Sequence, residues 1–291
     1  PSNLKMKILV TGANGQLGSE FRVLSLIYDN FNWVFTDFNE LNLIDFKNLN
    51  NNLSIINPDI IINCAAYTNV DKAESDQKQA NLLNFKAVDL LSKWSSSNKS
   101  KIIHISTDYV FNGNSPVPLK ENAFTSPINI YGKSKLKGEN VCQKNDSNSV
   151  IIRTSWVYSS FGNNFVKTLA SLMTSNDSLN IVNDQFGSPT YARDLAEAII
   201  EIINNKNWIP GIYHYSNHGE ITWFEFAKSI KKYFKFKIIL NGVSTNQFPT
   251  KAKRPKYSLL DKSKIQATFN IQIPDYEYSL RKCIKIIQNE K

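Results

Sequence analysis

The sequence KILVTGANGQLG at residues 7–18 joins a short apolar run to a glycine-rich turn. Lys7–Val10 has the apolar, β-branched composition of a buried strand. A helical pattern follows the turn, with apolar residues at Phe21, Leu24, Leu26 and Ile27. The stretch therefore predicts a strand, a glycine turn and a helix, in that order.

The same alternation continues along the first half of the chain. Further strands are predicted at Trp33–Thr36, Ile60–Asn63, Ile102–Ser106 and Val150–Arg153, and helical patterns lie between them. Short apolar strands that alternate with helices are typical of a parallel sheet with helices on both faces. We therefore predict an α/β protein with a Rossmann-type, doubly wound parallel sheet.

Beyond about residue 155 the elements become shorter and less regular. We predict a dinucleotide-binding domain over residues 1–155. Residues 156–291 are predicted to form mainly a smaller, interleaved substrate-binding lobe, with some chain returning to the first domain. Helices are expected near Tyr191–Ile203 and Trp223–Tyr233, and after Asp275.

Length and composition indicate a globular protein. The 291 residues are 42% hydrophobic and 20% charged, which fits a chain with a sizeable core and excludes a wholly disordered one. The net charge of +9 comes mostly from lysine. Because lysine and asparagine are abundant throughout, we interpret this charge as compositional bias rather than a nucleic-acid-binding surface.

Cysteine usage and apolar runs indicate the compartment. The three cysteines, Cys64, Cys142 and Cys283, are far apart and show no CxxC spacing, so neither a disulfide framework nor a cysteine zinc site is expected. Pro1–Val10 lacks the apolar core of a secretory signal, and apolar runs such as Ile60–Ile62 are strand-sized. We expect a cytoplasmic protein that does not span a membrane.

The glycine turn predicts a dinucleotide site. Gly12, Gly15 and Gly18 have GxxGxxG spacing, which lets the backbone approach a pyrophosphate at the N-terminus of the following helix. Asp37 follows the second strand, where a carboxylate accepts hydrogen bonds from the adenosine ribose hydroxyls and repels a 2′-phosphate. No basic residue follows it closely, so NADH is favoured over NADPH.

A tyrosine and a lysine follow the fourth strand. Tyr131 and Lys135 lie four residues apart and share one face if the segment is helical. A nearby ammonium group lowers the pKa of a phenol, which makes the tyrosine a usable acid or base. YxxxK alone also fits a surface helix, but Ser106 and Thr107 end a buried strand upstream and offer hydroxyls to a substrate carbonyl.

Several longer motifs resemble one family. GxxGxxG, the strand-end Ser/Thr and YxxxK together resemble the extended short-chain dehydrogenase/reductases. The longer matches are similar to dTDP-4-dehydrorhamnose reductases, and they are MKILVTG (6–12), NCAAYTNVDKAE (63–74), STDYVF (106–111), RTSWVY (153–158), DQFGSPT (184–190) and KRP (253–255). This resemblance implies NAD(P)H-dependent reduction of the C4 ketone of dTDP-4-dehydro-L-rhamnose to dTDP-L-rhamnose, which is the last step of dTDP-rhamnose synthesis for cell-surface polysaccharide.

The resemblance also implies roles for individual residues. Thr107, Tyr131 and Lys135 match the catalytic positions, and Lys135 would also hold the nicotinamide ribose. The residues matched to cofactor contacts, besides Gly12 and Gly18, are Gly15, Gln16, Leu17, Asp37, Ala66, Tyr67 and Thr68. The residues matched to substrate contacts are Thr107, Asp108, Trp156 and Arg254, with the Arg254 guanidinium as a diphosphate clamp.

The chain departs from the family pattern in two places. Leu41–Asp45 reads LNLID where the family has Leu-Asp-x-x-Asp, so we assign the adenine contact to Asp45. Some relatives hold magnesium between subunits, but no set of carboxylates for it can be placed here, and Glu20 alone reads as a solvated helix residue. No protein metal site is predicted, and pairing into a homodimer stays open.

Other functions remain open from the residues alone. A nucleotide-sugar 4-epimerase or 4,6-dehydratase shares this scaffold, although Tyr109 stands where a dehydratase has the second acid of its Asp-Glu pair. A catalytically silent regulatory relative is a third possibility. The intact Thr107, Tyr131 and Lys135 argue against it. A nucleic-acid-binding module is supported by net charge only.

Overall fold

A computed structural model describes residues 5–290, and predictions that concern residues 1–4 and 291 lie outside this range. The strands are β1 (Lys7–Thr11), β2 (Asn32–Phe35), β3 (Ile60–Asn63), β4 (Lys101–Thr107), β5 (Val150–Thr154), β6 (Val157–Tyr158), β7 (Ser178–Val182), β8 (Phe186–Gly187), β9 (Thr190–Tyr191), β10 (Gly211–Tyr215), β11 (Ile221–Thr222) and β12 (Ile239–Val243). The helices are α1 (Gln16–Ser25), α2 (Leu49–Ile56), α3 (Val70–Ala73), α4 (Gln77–Asn81), α5 (Ala87–Ser97), α6 (Ile130–Asn145), α7 (Phe165–Ser175), α8 (Ala192–Asn204), α9 (Trp223–Phe234), α10 (Ser263–Phe269) and α11 (Tyr276–Asn289).

The main sheet is parallel throughout. Its six strands have the order β10-β5-β4-β3-β1-β2, and every neighbouring pair is parallel. From β1 the chain first adds β2 on one side and then β3 on the other. Ligands of open α/β sheets bind outside the carboxyl ends of the strands at such a reversal. The topology therefore places a binding crevice beyond Thr11 and Asn63.

Helices cover both faces of this sheet, as predicted for a doubly wound fold. One face forms a core with α1, α8 and α10, in which Phe21, Leu195 and Ile199 are fully buried. The other face packs against α2 and α5, where Leu53 and Leu91 are fully buried. The strands are apolar on both faces because both faces are covered. The predicted fold class is confirmed.

The second half of the chain has its own aromatic-rich core. This core joins α7, α9 and α11 to short strands, and Tyr158, Tyr191 and Phe226 are completely buried in it. Not all of the second half belongs to it, because β10 extends the main sheet beside β5 and α8 packs against α1. The division at residue 155 stays a prediction.

The first helix differs from its prediction at the C-terminal end of its apolar pattern. It ends at Ser25, and Leu26 and Ile27 are 84% and 68% exposed, so they do not belong to the buried face. The interpretation of Glu20 as a solvated residue was wrong. Glu20 is fully buried because its carboxylate pairs with Arg193 at 2.5 Å and accepts a hydrogen bond from Ser159 at 2.7 Å.

No helix within residues 5–290 has the length and apolar character needed to cross a bilayer.

Candidate active site

A cleft of about 850 Å³ opens at the carboxyl edge of the main sheet. Its walls come from the ends of β1, β3, β4 and β5 and from the second half of the chain. The predicted site residues that line it are Gly12, Gly15, Gln16, Leu17, Asp37, Ala66, Thr68, Thr107, Asp108, Tyr131, Lys135 and Trp156. The fold therefore brings most of the predicted cofactor and substrate residues to one cavity.

The glycine turn is built for close backbone approach. Gly12 has φ +60°, and a Cβ there would lie 2.7 Å from the backbone of Ala65. Gly15 precedes α1, whose first backbone N–H groups have no partner within the helix. Gly18 does not line the cleft, but a Cβ there would lie 2.5 Å from Ala13 Cα, so α1 packs closely on the turn. This arrangement fits a dinucleotide pyrophosphate at the N-terminus of α1.

Asp37 lies on the same cleft, just after β2. Its carboxylate accepts hydrogen bonds from the backbone N–H groups of Asn14 at 2.9 Å and Phe38 at 2.8 Å. These bonds hold the side chain beside the glycine turn, although about 25 residues of chain separate the two segments. The carboxylate is thus fixed on the cleft beside the glycine turn, and its role toward a ribose stays a prediction.

Tyr131 reaches the end of β4 because α6 approaches it closely. Asn129 caps α6 by accepting a hydrogen bond from the Gly132 N–H at 2.7 Å. A Cβ on Gly132 would lie 2.1 Å from the carbonyl oxygen of Tyr109, so only glycine permits this contact. The close approach places Tyr131 beside Thr107 on the cleft.

The pKa of Tyr131 is raised, although the sequence predicted that it would be lowered. Burial raises it to about 12, although the neighbouring Thr107 side chain opposes this rise. The expected lowering by Lys135 was wrong for this structure, because the Lys135 ammonium donates instead to the Ile105 carbonyl oxygen at 2.5 Å. A phenol with this pKa is protonated at neutral pH, which suits an acid that donates a proton.

Lys135 lies above a buried ion pair. Burial lowers its pKa to about 8, while the Glu139 carboxylate raises it, so Lys135 keeps its positive charge at pH 7. Glu139 pairs with Arg153 through two hydrogen bonds of 2.9 and 2.7 Å. Ser106 donates to the same carboxylate at 2.5 Å. Ser106 lines the cleft as Thr107 does, but its hydroxyl is engaged by Glu139, so we take Thr107 as the strand-end hydroxyl for a substrate.

Asp108 is a buried carboxyl group on the cleft wall. Its oxygens accept hydrogen bonds from Ser258 at 2.6 Å and Thr107 at 3.1 Å. Burial nevertheless raises its pKa to about 7, because these bonds compensate only part of the lost hydration. Asp108 therefore changes its charge near physiological pH.

The raised pKa of Asp108 makes stability depend on pH. In the unfolded chain an aspartate ionises near pH 4, so between about pH 4 and pH 7 the folded state binds the extra proton. Asp108 thus contributes stability below pH 4 that is lost as the pH rises to 7. We expect Asp108→Asn to gain stability relative to wild type between pH 5 and pH 8, as measured by urea denaturation. The same difference in unfolding free energy between Asp108→Asn and wild type at both pH values would contradict this. Asp29→Asn, which changes an exposed site, is the control.

Four predicted site residues do not line the cleft, and they are Gly18, Asp45, Tyr67 and Arg254. Asp45 accepts a hydrogen bond from the Asn48 amide at 2.8 Å. Tyr67 is held by its backbone, whose N–H donates to Asn84 at 2.8 Å, and its hydroxyl donates to Asp76 at 3.1 Å. Arg254 makes a bidentate pair with Asp71 at 2.6 and 2.8 Å. Their assigned roles stay predictions.

The cleft also contains residues that the sequence analysis missed. Trp223, Phe165 and Asn164 line it from the second half of the chain. Asn164 donates to the Gln16 side chain at 3.1 Å and so ties this half to the glycine turn. The GNN sequence at 162–164, close behind a strand end, was a signal for a binding loop. No local signal identifies Trp223.

Two of the three histidines, His104 and His214, are buried and have structural roles. His104 is fully buried; its Nδ1 lies 3.0 Å from the Asn63 amide, while its Nε2 has no partner among the described residues. Burial lowers the pKa of His214 to about 3, and its Nδ1 lies 2.9 Å from the Leu119 carbonyl oxygen. Within residues 5–290 no group of three or more His, Cys, Asp or Glu is arranged to hold a metal ion.

The comparisons of this chain with known protein families and sequences agree with one another. The family model described as the RmlD substrate binding domain matches residues 6–289. The chain is 37% identical to a dTDP-4-dehydrorhamnose reductase of Aggregatibacter actinomycetemcomitans, over 94% of this chain and 97% of the relative. It is 39% identical to the spore coat polysaccharide biosynthesis protein SpsK of Bacillus subtilis, over 89% and 90% of the two chains.

Solved structures agree with this result. The dTDP-4-dehydrorhamnose reductase of Bacillus anthracis, in complex with NADP, has a TM-score of 0.93 at 37% identity, covering 97% of this chain and all of the other. The corresponding protein of Clostridium acetobutylicum has the same TM-score at 36% identity and the same coverage. A UDP-glucuronic acid 4-epimerase is similar in fold alone, at 22% identity. The chain belongs to the dTDP-4-dehydrorhamnose reductase family.

Proposed function

We propose that this protein reduces the C4 ketone of dTDP-4-dehydro-L-rhamnose to dTDP-L-rhamnose with NADH or NADPH. The observation that carries the proposal is that Thr107, Tyr131 and Lys135 line the same cleft as the glycine turn and Asp37. Relatives of this name match nearly the whole chain at 37% identity. The product is the activated rhamnose used for cell-surface polysaccharide.

The residues of the cleft have different roles in cofactor binding and proton transfer. Gly15, Gln16 and Leu17 hold the pyrophosphate of the cofactor through backbone N–H groups, and Asp37 binds the adenosine ribose. The bound nicotinamide supplies a hydride to the sugar C4. Tyr131 donates its phenolic proton to the ketone oxygen, so that the carbonyl becomes a hydroxyl. Lys135, which keeps its positive charge at pH 7, holds the nicotinamide ribose.

Thr107 and Asp108 position the ketone. Thr107 is held by its own bonds, because its hydroxyl donates to Asp108 at 3.1 Å and accepts from the Tyr109 N–H at 3.1 Å. Beside Tyr131, it orients the sugar so that the ketone oxygen meets the phenol. Trp156 contributes a wall of the sugar subsite, and Arg254 binds the diphosphate after its pair with Asp71 opens.

We place the reaction in the cytoplasm, where the reduced cofactor is regenerated. The three cysteines of the chain are free thiols, as is usual in that compartment. The partner is a small nucleotide-sugar, and neither nucleic acid nor a membrane takes part. The division into a cofactor-binding part up to residue 155 and a mainly substrate-binding part after it belongs to the same proposal.

The direct test is an absorbance assay. NADH should be oxidised when the protein meets freshly prepared dTDP-4-dehydro-L-rhamnose. With dTDP-4-dehydro-D-glucose as the control, no oxidation is expected. Oxidation with neither sugar, in a protein shown separately to bind NADH, would contradict the proposal and favour a silent relative or another nucleotide-sugar.

Asp37 should set the preference between the two cofactors. We expect Asp37→Ala to reduce the preference for NADH over NADPH, because a carboxylate beside the ribose repels a 2′-phosphate. The measurement is kcat/KM with each cofactor at saturating sugar. Asp29→Ala, an exposed acid outside the cleft lining, is the matched control. An unchanged ratio in Asp37→Ala would remove this role from the carboxylate.

A further inference from the structure

Trp156 and Trp223 form a stacked pair on the wall of the cleft. Their ring centroids are 3.7 Å apart and their planes differ by 15°. The residues lie 67 positions apart in the sequence, and both line the cleft together with Tyr131 and Asp108. Both rings also pack against the aromatic core of the second half of the chain, away from the glycine turn that suits the cofactor.

The Trp156 ring is held on more than one side. Its backbone has φ +48°, a left-handed conformation that is unusual for a bulky residue. Its carbonyl oxygen accepts a hydrogen bond from the Thr190 N–H at 3.1 Å. A Cβ on Gly187 would lie 2.9 Å from the indole, so the backbone there also touches the ring. Strained backbone of this kind persists where the surroundings enforce it.

Trp223 is itself fixed before it meets Trp156. It is the first residue of α9, directly after a capping box formed by Thr222 and Glu225. Phe165 packs against its ring at a centroid distance of 4.7 Å. Trp223 is therefore a rigid support for Trp156 rather than a loop residue that moves with it.

The indole N–H groups separate this pair from the other tryptophans. Trp33, Trp94 and Trp208 donate theirs to the Tyr28 carbonyl, the Ser54 hydroxyl and the Asn148 carbonyl at 2.9, 3.0 and 2.6 Å. Within residues 5–290, the N–H groups of Trp156 and Trp223 have no such acceptor. These two donors therefore remain available to a ligand in the cleft.

We propose that Trp223 is a positioning residue of the nucleotide-sugar subsite, which holds the Trp156 ring in place so that the pair forms one rigid wall with free indole N–H donors. The inference rests on the proposed function, since it assumes a sugar nucleotide in this part of the cleft. The wall offers an aromatic face to the C–H groups of a sugar ring and N–H donors to its oxygens. Trp223 acts mainly through Trp156.

Replacing Trp223 should affect substrate binding more than chemistry. We expect Trp223→Leu to raise KM for dTDP-4-dehydro-L-rhamnose by about three- to tenfold, with a smaller change in kcat and an unchanged Kd for NADH. Trp223→Phe keeps an aromatic face and should recover part of the loss. Trp208→Leu, a tryptophan outside the cleft, should keep the wild-type KM.

A spectroscopic measurement tests the stacking separately from activity. Two indoles at this distance couple, so the far-ultraviolet circular dichroism of the wild type should contain an exciton couplet. The couplet should disappear in both Trp223→Leu and Trp156→Phe, persist in Trp208→Leu, and change when dTDP-L-rhamnose binds the wild type. If Trp223→Leu does not fold, the same comparison uses Trp223→Phe.

The outcomes distinguish the two proposals. A wild-type protein that does not oxidise NADH with the rhamnose ketone contradicts the proposed function, and a couplet that does not respond to dTDP-L-rhamnose then contradicts the inference too. An active wild type whose Trp223→Leu variant loses the couplet but keeps KM overturns the inference alone. A rise in KM together with an equal loss of NADH affinity also overturns it, because the cleft as a whole is then disturbed.

Discussion

Tyr131→Phe should lower kcat by about 10²- to 10⁴-fold, the usual contribution of a positioned general acid. In the proposed mechanism the phenolic proton passes to the ketone oxygen, and burial keeps the Tyr131 pKa at about 12, so the hydroxyl is protonated at neutral pH. Phenylalanine keeps the ring, which packs edge-on against Tyr109 at 6.0 Å. The affinity for NADH should therefore stay close to that of the wild type.

Steady-state kinetics and cofactor titration measure these two effects separately. Tyr213→Phe is the matched control, since it removes a hydroxyl that donates to the Ile209 carbonyl at 2.9 Å outside the cleft. This control should leave kcat unchanged. A loss of less than tenfold in Tyr131→Phe would remove Tyr131 from the acid role, whatever the NADH affinity.

Arg153→Met should destabilise the folded protein by about 3–5 kcal/mol, the cost of breaking a buried ion pair by removing one partner. The side chains of Arg153 and Glu139 are 3% and 1% exposed, so neither charge reaches water. Without Arg153, the buried Glu139 carboxylate keeps, among residues 5–290, the hydrogen bond from Ser106 and the attraction of the Lys135 ammonium. The free energy of unfolding, from urea denaturation, measures the loss.

Two further variants show whether the loss of stability comes from the unpaired buried charge of Glu139. The double variant Arg153→Met with Glu139→Gln removes both charges and should recover part of the stability. Lys93→Met breaks the exposed pair with Asp89, at one helical turn on α5, and should cost no more than about 0.5 kcal/mol. A loss below about 1 kcal/mol in Arg153→Met would show that Glu139 is not left as an uncompensated buried charge.

Sequence reasoning succeeded where short segments carry their own pattern. The strands around the glycine turn were predicted within one residue or so, because apolar runs bounded by turn residues are local signals. Asp37 was found in the same way, from its position after the second strand. The first helix was predicted to extend to Leu26 and Ile27, beyond its end at Ser25, because a periodic pattern does not show where the core ends.

Electrostatic predictions were weaker, because the pKa of a group depends on everything packed around it. Lys135 was expected to lower the pKa of Tyr131, but its ammonium group is turned to the Ile105 carbonyl, and burial raises the pKa instead. Glu20 was read as solvated from its place on a helix. Its partners, Ser159 and Arg193, lie more than 130 residues further along the chain.

Local sequence patterns were sufficient to predict the parallel α/β architecture, the glycine turn and the placement of Tyr131 and Lys135 on one helix. Each of these depends on residues a few positions apart, whose spacing alone sets their relative geometry. The stacking of Trp223 on Trp156, the ion pair of Arg153 with Glu139 and that of Arg254 with Asp71 are visible only in the folded chain. Such contacts join distant segments that meet only when the apolar surfaces of both halves of the chain are buried, and no local spacing encodes them.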